Sequence, residues 1–178
     1  MTAMHSSNES QGMGSLEKIM RRVDLPATIA GHLWLGPMPG RFHSLRKAMA
    51  AYQAKGVDHI VCLAARSEIA EKSPEYAACL DKTPSVPVIA MPIVDFGVPA
   101  DEKAFGQTVS QAADALRGGK RLFVHCAAGI GRTGTFAACL LISLGFEESA
   151  ALALIRKAGS GPETQEQAQL VHRFGRGA

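Results

Sequence analysis

The stretch richest in chemistry is His125-Cys126-Ala127-Ala128-Gly129-Ile130-Gly131-Arg132-Thr133. It puts a thiol, a guanidinium and a glycine-loosened backbone within a few residues of one another. An arginine side chain is a planar fork of donors that can hold two oxygens of an oxyanion at once. Gly129, Gly131 and Gly134 let the main chain adopt unusual dihedrals and come close to a ligand. The thiolate is the nucleophilic form of cysteine, and helix N-termini and nearby cations favour it. These residue types at this spacing suit a nucleophile, Cys126, beneath an anion cradle formed by Ala127, Ala128, Gly129, Ile130, Gly131 and Arg132.

Such a cradle needs a strand before it and a helix after it. Leu122, Phe123 and Val124 form a short apolar run that reads as a buried strand. Thr133 to Leu144 is long and apolar enough for a buried helix. The first N–H groups of a helix have no intrahelical partner, and successive N–H groups in the turn before it make an anion-binding nest. Strand, tight loop and helix are therefore the minimum unit, with Cys126 first in the loop and Arg132 at the helix entry.

Cleaving a phosphoester also needs a proton for the departing oxygen. Asp95, in Met91-Pro-Ile-Val-Asp95-Phe-Gly97-Val-Pro99, follows a strand candidate and opens a Gly/Pro loop where a movable group could sit. Asp101 is the rival, but it stands where an acid at a helix N-terminus is expected, so Asp95 is preferred. The neutral ring of His125 can hydrogen-bond backbone near the loop and help hold the thiolate. The Thr133 hydroxyl can donate to the sulfur, or simply bond backbone at the helix entry.

The rest of the chain supplies the scaffold. Ser44 caps a helix to about Lys55, with Gly56 as its stop, and His59 to Leu63 reads as a strand. Ser73-Pro74 opens a helix to about Leu80. Val86 to Met91 is a strand whose Pro87 marks an edge or a start. Asp101 to Arg117 is amphipathic, with Phe105, Val109, Ala112, Ala113 and Leu116 at helical spacing. Two further helices cover Glu147 to Ala158 and Glu163 to Phe174. Ala27 to Leu35 alternates around Gly31 and reads as a hairpin. Residues 1–22 read as an N-terminal tail, mobile over the first 14, with a possible helical turn near Leu16–Met20. Residues 23–178 then form one domain. Strands alternating with helices imply an α/β fold with a mostly parallel central sheet.

The motif His125-Cys126-x-x-Gly129-x-x-Arg132-Thr133 resembles the signature loop of the cysteine-dependent protein tyrosine phosphatases. The short chain resembles their dual-specificity group, most of all the type associated with cyclin-dependent kinases. The resemblance spans roughly residues 28–174. It implies the same α/β fold, a phosphocysteine intermediate on Cys126 and no metal or other cofactor. It also implies Asp95 as general acid, since that residue precedes Cys126 by the interval seen in similar phosphatases. Thr164-x-x-Gln167 resembles the family segment whose two glutamines border the site. Where the first of these would stand the chain has Glu163, so Gln167, Glu163 or the adjacent Gln165 could position the hydrolytic water. Pro39-Gly40-Arg41 resembles an early turn in which Arg41 would line the rim or be solvated. Some relatives protect the nucleophile through a reversible disulfide, for which Cys62 is the candidate; an inert buried thiol is the alternative.

Composition narrows the field. The chain has 178 residues, a net charge of +3 and 47% hydrophobic residues, as in ordinary globular domains. No Lys/Arg run suggests nucleic acid, no 18-residue apolar stretch suggests a membrane span, and the four cysteines lack zinc spacing. The N-terminus has no apolar core of a signal peptide, so a cytoplasmic monomer is the expectation. The substrate would be a phosphorylated protein or a small phosphorylated metabolite. Ala127, Ala128 and Ile130 bring no lysine into the loop, which favours a singly phosphorylated group. Sulfur transfer and phosphoprotein binding without catalysis are the other readings. Arg132-Thr133 and Asp95 weigh against the first, and the intact nucleophile, arginine and acid against the second.

Overall fold

The computed structural model describes residues 19–177. The chain builds a five-stranded sheet in the order β1-β2-β5-β3-β4, from β1 (Arg21–Val23), β2 (His32–Gly36), β3 (His59–Cys62), β4 (Val88–Ala90) and β5 (Arg121–His125). Only β1 runs antiparallel to its neighbour. The central strand is β5, which pairs Gly36 of β2 and Cys62 of β3 with His125. Its C-terminal end therefore lies in the middle of the sheet edge, the usual place for a site in an open parallel sheet.

Strand alternation sorts the side chains onto two faces. Leu33, Leu35, Val61, Leu63, Leu122 and Val124 pack against α4 (Glu102–Arg117), α5 (Gly131–Ser143), α6 (Glu148–Lys157) and α7 (Gln165–Gly177). On the opposite face, Trp34, Ile60 and Phe123 meet α1 (Leu45–Lys55), while Cys62 joins residues of α2 (Arg66–Lys72) and α3 (Pro74–Leu80). Helices thus cover both faces of the sheet. Between Gly131 and Ile142, α5 is buried all round; from Phe136 to Ile142 its sequence is wholly apolar, and Arg132, Thr133 and Thr135 are the buried polar residues of its first turns.

Several elements form for reasons visible in the sequence. The Ser44 hydroxyl accepts from Lys47 N–H, and Gly56 closes α1 at φ 63°. Asp101 caps α4 through Ala104 N–H, so its carboxylate serves the helix. Three features differ from the sequence reading. The hairpin expected within 27–35 instead pairs β1 with β2 across residues 24–31. Part of the expected tail belongs to the fold: Ile19 and Met20 are buried and Arg21 and Arg22 lie in β1; the rest of the tail, residues 1–18, lies outside the described residues. Finally, α2 fills a segment that carries no apolar periodicity, because only Ile69 of its residues is buried. No helix among the described residues is long and apolar enough to cross a membrane.

Candidate active site

Cys126 follows the last residue of β5 and is 3% exposed. The loop after it turns at once. Gly129 takes φ 75°, and a Cβ there would collide with the Gly36 carbonyl group and Pro37 N. Glycine is thus required both by conformation and by the close approach of β2. Gly129 N–H donates to Cys126 Sγ at 3.3 Å. Helix α5 starts at Gly131, two residues earlier than its apolar run suggests, and its N-cap is Ile130, whose side chain caps nothing. The first-turn N–H groups are therefore left to whatever occupies the loop, and the helix field there favours an anion. At the first turn of α5, Gly134 has no room for a Cβ against the backbone of Gly161.

Arg132 lies within that first turn and is 2% exposed. A buried guanidinium must be paired. Glu68 of α2 does this bidentately, accepting Nη1 at 2.7 Å and Nη2 at 2.9 Å, and the Ile93 carbonyl accepts Nη1 at 3.0 Å. Asp95 Oδ1 lies 2.8 Å from Nη2. The hydrogen bond from Arg132, assisted by Lys72 and opposed by burial, holds the Glu68 carboxyl well below its ordinary range, at about 2. Glu68 escaped the sequence reading: it sits 64 residues from Arg132, and its only local mark is a Lys72 four residues on.

Asp95 is half-exposed on a short turn closed by Gly97 N–H to the Val94 carbonyl at 2.9 Å. Its neighbour Phe96 holds φ 58°, a left-handed conformation unusual for an aromatic residue, at a cost of order 1–3 kcal/mol. The rival Asp101 is committed to its helix cap. The turn is tethered from α7, where Gln167 Nε2 donates to the Gly97 carbonyl at 3.1 Å and Oε1 accepts Glu163 N–H at 2.9 Å. Gln167 is fully buried. Its amide thus links the Asp95 turn to the segment that enters α7. The Glu163 carboxylate lies against Gly131, beside the helix entry, whereas Gln165 opens α7 on its exposed side.

His125 is fully buried and points to the face opposite Cys126. Its Nδ1 lies 2.9 Å from the Cys126 carbonyl oxygen, which can only accept, so Nδ1 carries the proton. Nε2 then accepts from the Tyr76 hydroxyl at 3.1 Å. Burial lowers the imidazole to about 4, so the ring stays neutral near pH 7 and pins the Cys126 peptide. Tyr76, on α3, is the second residue the sequence reading missed. The Thr133 hydroxyl is fully buried and, among the described residues, has no hydrogen-bond partner. It is thus not used as a local backbone tie.

Arg21 and Ser160 complete the surroundings from behind. Arg21 Nη2 and Ser160 Oγ both donate to the Gly129 carbonyl, the latter at 2.7 Å. Arg41 stacks on the exposed Phe42 ring, 4.6 Å from its centroid. Cys62 is a free thiol in a different apolar cluster from Cys126, on the opposite face of the sheet, and burial pushes it up to about 11. It belongs to the packing there and lines a cavity of about 360 Å³ with Ala64, Ile69 and Leu80.

The family model of the Swiss Army Knife protein DSP-PTPase phosphatase domain matches residues 40–175. Among solved structures, kinase associated phosphatase with its catalytic-site cysteine changed to serine is similar at a TM-score of 0.76 and 21% identity, over 87% of this chain and 92% of that one. Tk-PTP in its active form gives 0.67 and 24%, over 88% and 96%. PTPMT1 in complex with PI(5)P gives 0.67 and 19%, over 89% and 95%.

Proposed function

The chain belongs to the DSP-PTPase family of dual-specificity cysteine phosphatases, and from that premise we propose the part each residue takes in the reaction. Cys126 Sγ attacks phosphorus in line with the leaving oxygen. The loop N–H groups from Ala127 to Arg132 and the Arg132 fork hold the three equatorial oxygens. Asp95 delivers its proton to the departing oxygen, so that a neutral alcohol or phenol leaves rather than an alkoxide or phenoxide. Water then attacks the phosphocysteine while the Asp95 carboxylate takes its proton, and the free thiolate is restored. The Thr133 hydroxyl, buried and unpartnered, donates to the sulfur as it leaves. His125 acts only by positioning, through the Cys126 carbonyl.

The observation that carries this reading is the contact of Asp95 Oδ1 with Arg132 Nη2 at 2.8 Å. It sets the acid, the anion-binding cation and the nucleophile loop around one point. Nη2 donates to Glu68 and forms an ion pair with Asp95 Oδ1. A phosphate oxygen entering there takes the place of Asp95, which frees the carboxyl for the leaving oxygen.

The substrate is a singly phosphorylated group, on a protein side chain or a small metabolite. Ala127, Ala128 and Ile130 provide no cation for a second phosphate. PTPMT1 was solved with PI(5)P, so a phosphoinositide is the comparison substrate. The test is hydrolysis of p-nitrophenyl phosphate, with EDTA present, by the wild type and Cys126→Ser across a pH range of about 5–8. Turnover by the wild type alone supports the assignment. Equal turnover by both proteins, or loss of turnover in EDTA, overturns it.

A further inference from the structure

The Gly129 carbonyl faces away from the cradle and is held by two donors at once. Ser160 Oγ donates to it at 2.7 Å, and Arg21 Nη2 donates both to it and to Ser160 Oγ, the latter at 3.0 Å. Arg21 Nε is tied to the Ala158 carbonyl at 2.8 Å. Three groups thus form a closed triangle behind the loop, anchored on the segment between α6 and α7. Ser160 is 5% exposed, so water competes little for these bonds. Burial lowers the Arg21 guanidinium from its ordinary value, and the nearby Cys126 charge offsets part of this.

The consequence lies on the other side of the same peptide unit. In a trans peptide the C=O and the following N–H point in opposite directions. Holding the Gly129 carbonyl outward therefore turns Ile130 N–H inward, toward the anion. If the 129–130 peptide rotated, an acceptor oxygen would replace that donor and would repel both the thiolate and a bound phosphate. Gly129, at φ 75° and without a Cβ, gives little steric resistance to such a rotation. The resistance must come from outside the loop.

We propose that Arg21 and Ser160 are positioning residues that latch the Gly129–Ile130 peptide with its N–H toward the phosphate. The cradle is then complete only when strand β1 is docked, which gives the N-terminal strand a part in anion binding. This inference rests on the anion-binding reading of the loop.

The probe is tungstate, a tetrahedral oxyanion that the enzyme does not turn over. Its binding is measured by calorimetry, with p-nitrophenyl phosphate kinetics and urea unfolding alongside. Arg21→Ala raises the tungstate dissociation constant about tenfold, the loss for one hydrogen bond to an anion. Arg21→Lys, which restores the charge and one donor, recovers part of that loss. Ser160→Ala, with Arg21 still in place, weakens binding about threefold. A merely structural role would lower stability and leave the affinity of the folded protein unchanged, and that result overturns the proposal. If Arg21→Ala does not fold, the other two variants decide: affinities of both within about twofold of wild type also overturn it. A wild type that binds no tungstate refutes the anion-binding reading instead, so the two failures are distinguishable.

Discussion

Replacing Glu68 by Gln probes the least expected part of the site. Glu68 never touches the phosphate in this account; it sets where the Arg132 fork lies. Its carboxyl is held at about 2 against an ordinary 4.5. That difference corresponds to about 3 kcal/mol of interaction. The Glu68 side chain is 13% exposed, and solvent screening at its rim trims the figure to about 2 kcal/mol. Glutamine keeps the shape but loses the charge and turns an NH2 group toward the guanidinium. Because the folded-state value is depressed, the stabilisation is complete above about pH 4.5 and is lost as the pH falls toward 2. Urea unfolding of Glu68→Gln at neutral pH should therefore show a loss of about 2 kcal/mol, shrinking toward zero at the acid end. With Arg132 no longer fixed, kcat/KM on p-nitrophenyl phosphate should fall about 30-fold. Stability and kcat/KM both within about twofold of wild type would refute the reasoning.

Asp95→Asn should lower kcat by about 10²–10⁴ for substrates with poor leaving groups and much less for p-nitrophenyl phosphate. It should also tighten tungstate binding, since a competing anion has left Arg132 Nη2; calorimetry checks the second effect. Tyr76→Phe leaves His125 Nε2 without its donor and should cost about 1–3 kcal/mol, read from urea unfolding. His125 is lowered from 6.5 to about 4 by burial, so the unfolded chain binds the extra proton between those values. Wild-type stability should therefore fall by about 3 kcal/mol from this group as the pH drops through that window, and His125→Asn should remove that part of the slope. Gly134→Ala drives a methyl into the Gly161 backbone and should abolish tungstate binding or lower the melting temperature by several degrees, about 2–4 °C per kcal/mol lost.

The sequence made the central unit readable because its determinants are local. The apolar run into His125, the glycines and the apolar stretch of the following helix all lie within one segment. Ser44 with Gly56, and Asp101 with the helical spacing of Phe105 and Val109, are local in the same way. What escaped was held by distance along the chain. Arg21 meets the loop across 108 residues, Glu68 meets Arg132 across 64, and Tyr76 meets His125 across 49. No spacing rule links such pairs. β1 was hidden for another reason: it is three residues long and buries only Val23, so its two arginines read as tail. Gln167 was expected to border the site and position water; its amide holds the Gly97 carbonyl, a contact that only the folded position of Gly97 could reveal.

The most direct test of the central claim is to trap the intermediate. Enzyme mixed with excess p-nitrophenyl phosphate is quenched with alkaline denaturant within the first turnovers, and the peptide containing Cys126 is weighed by mass spectrometry. That peptide should gain the mass of one phosphoryl group in the wild type, gain more of it in a variant slowed in the second step such as Thr133→Ala, and gain none in Cys126→Ser. An active wild type whose phosphoryl group is found on another residue, or Cys126→Ser that still turns over substrate, would contradict that claim.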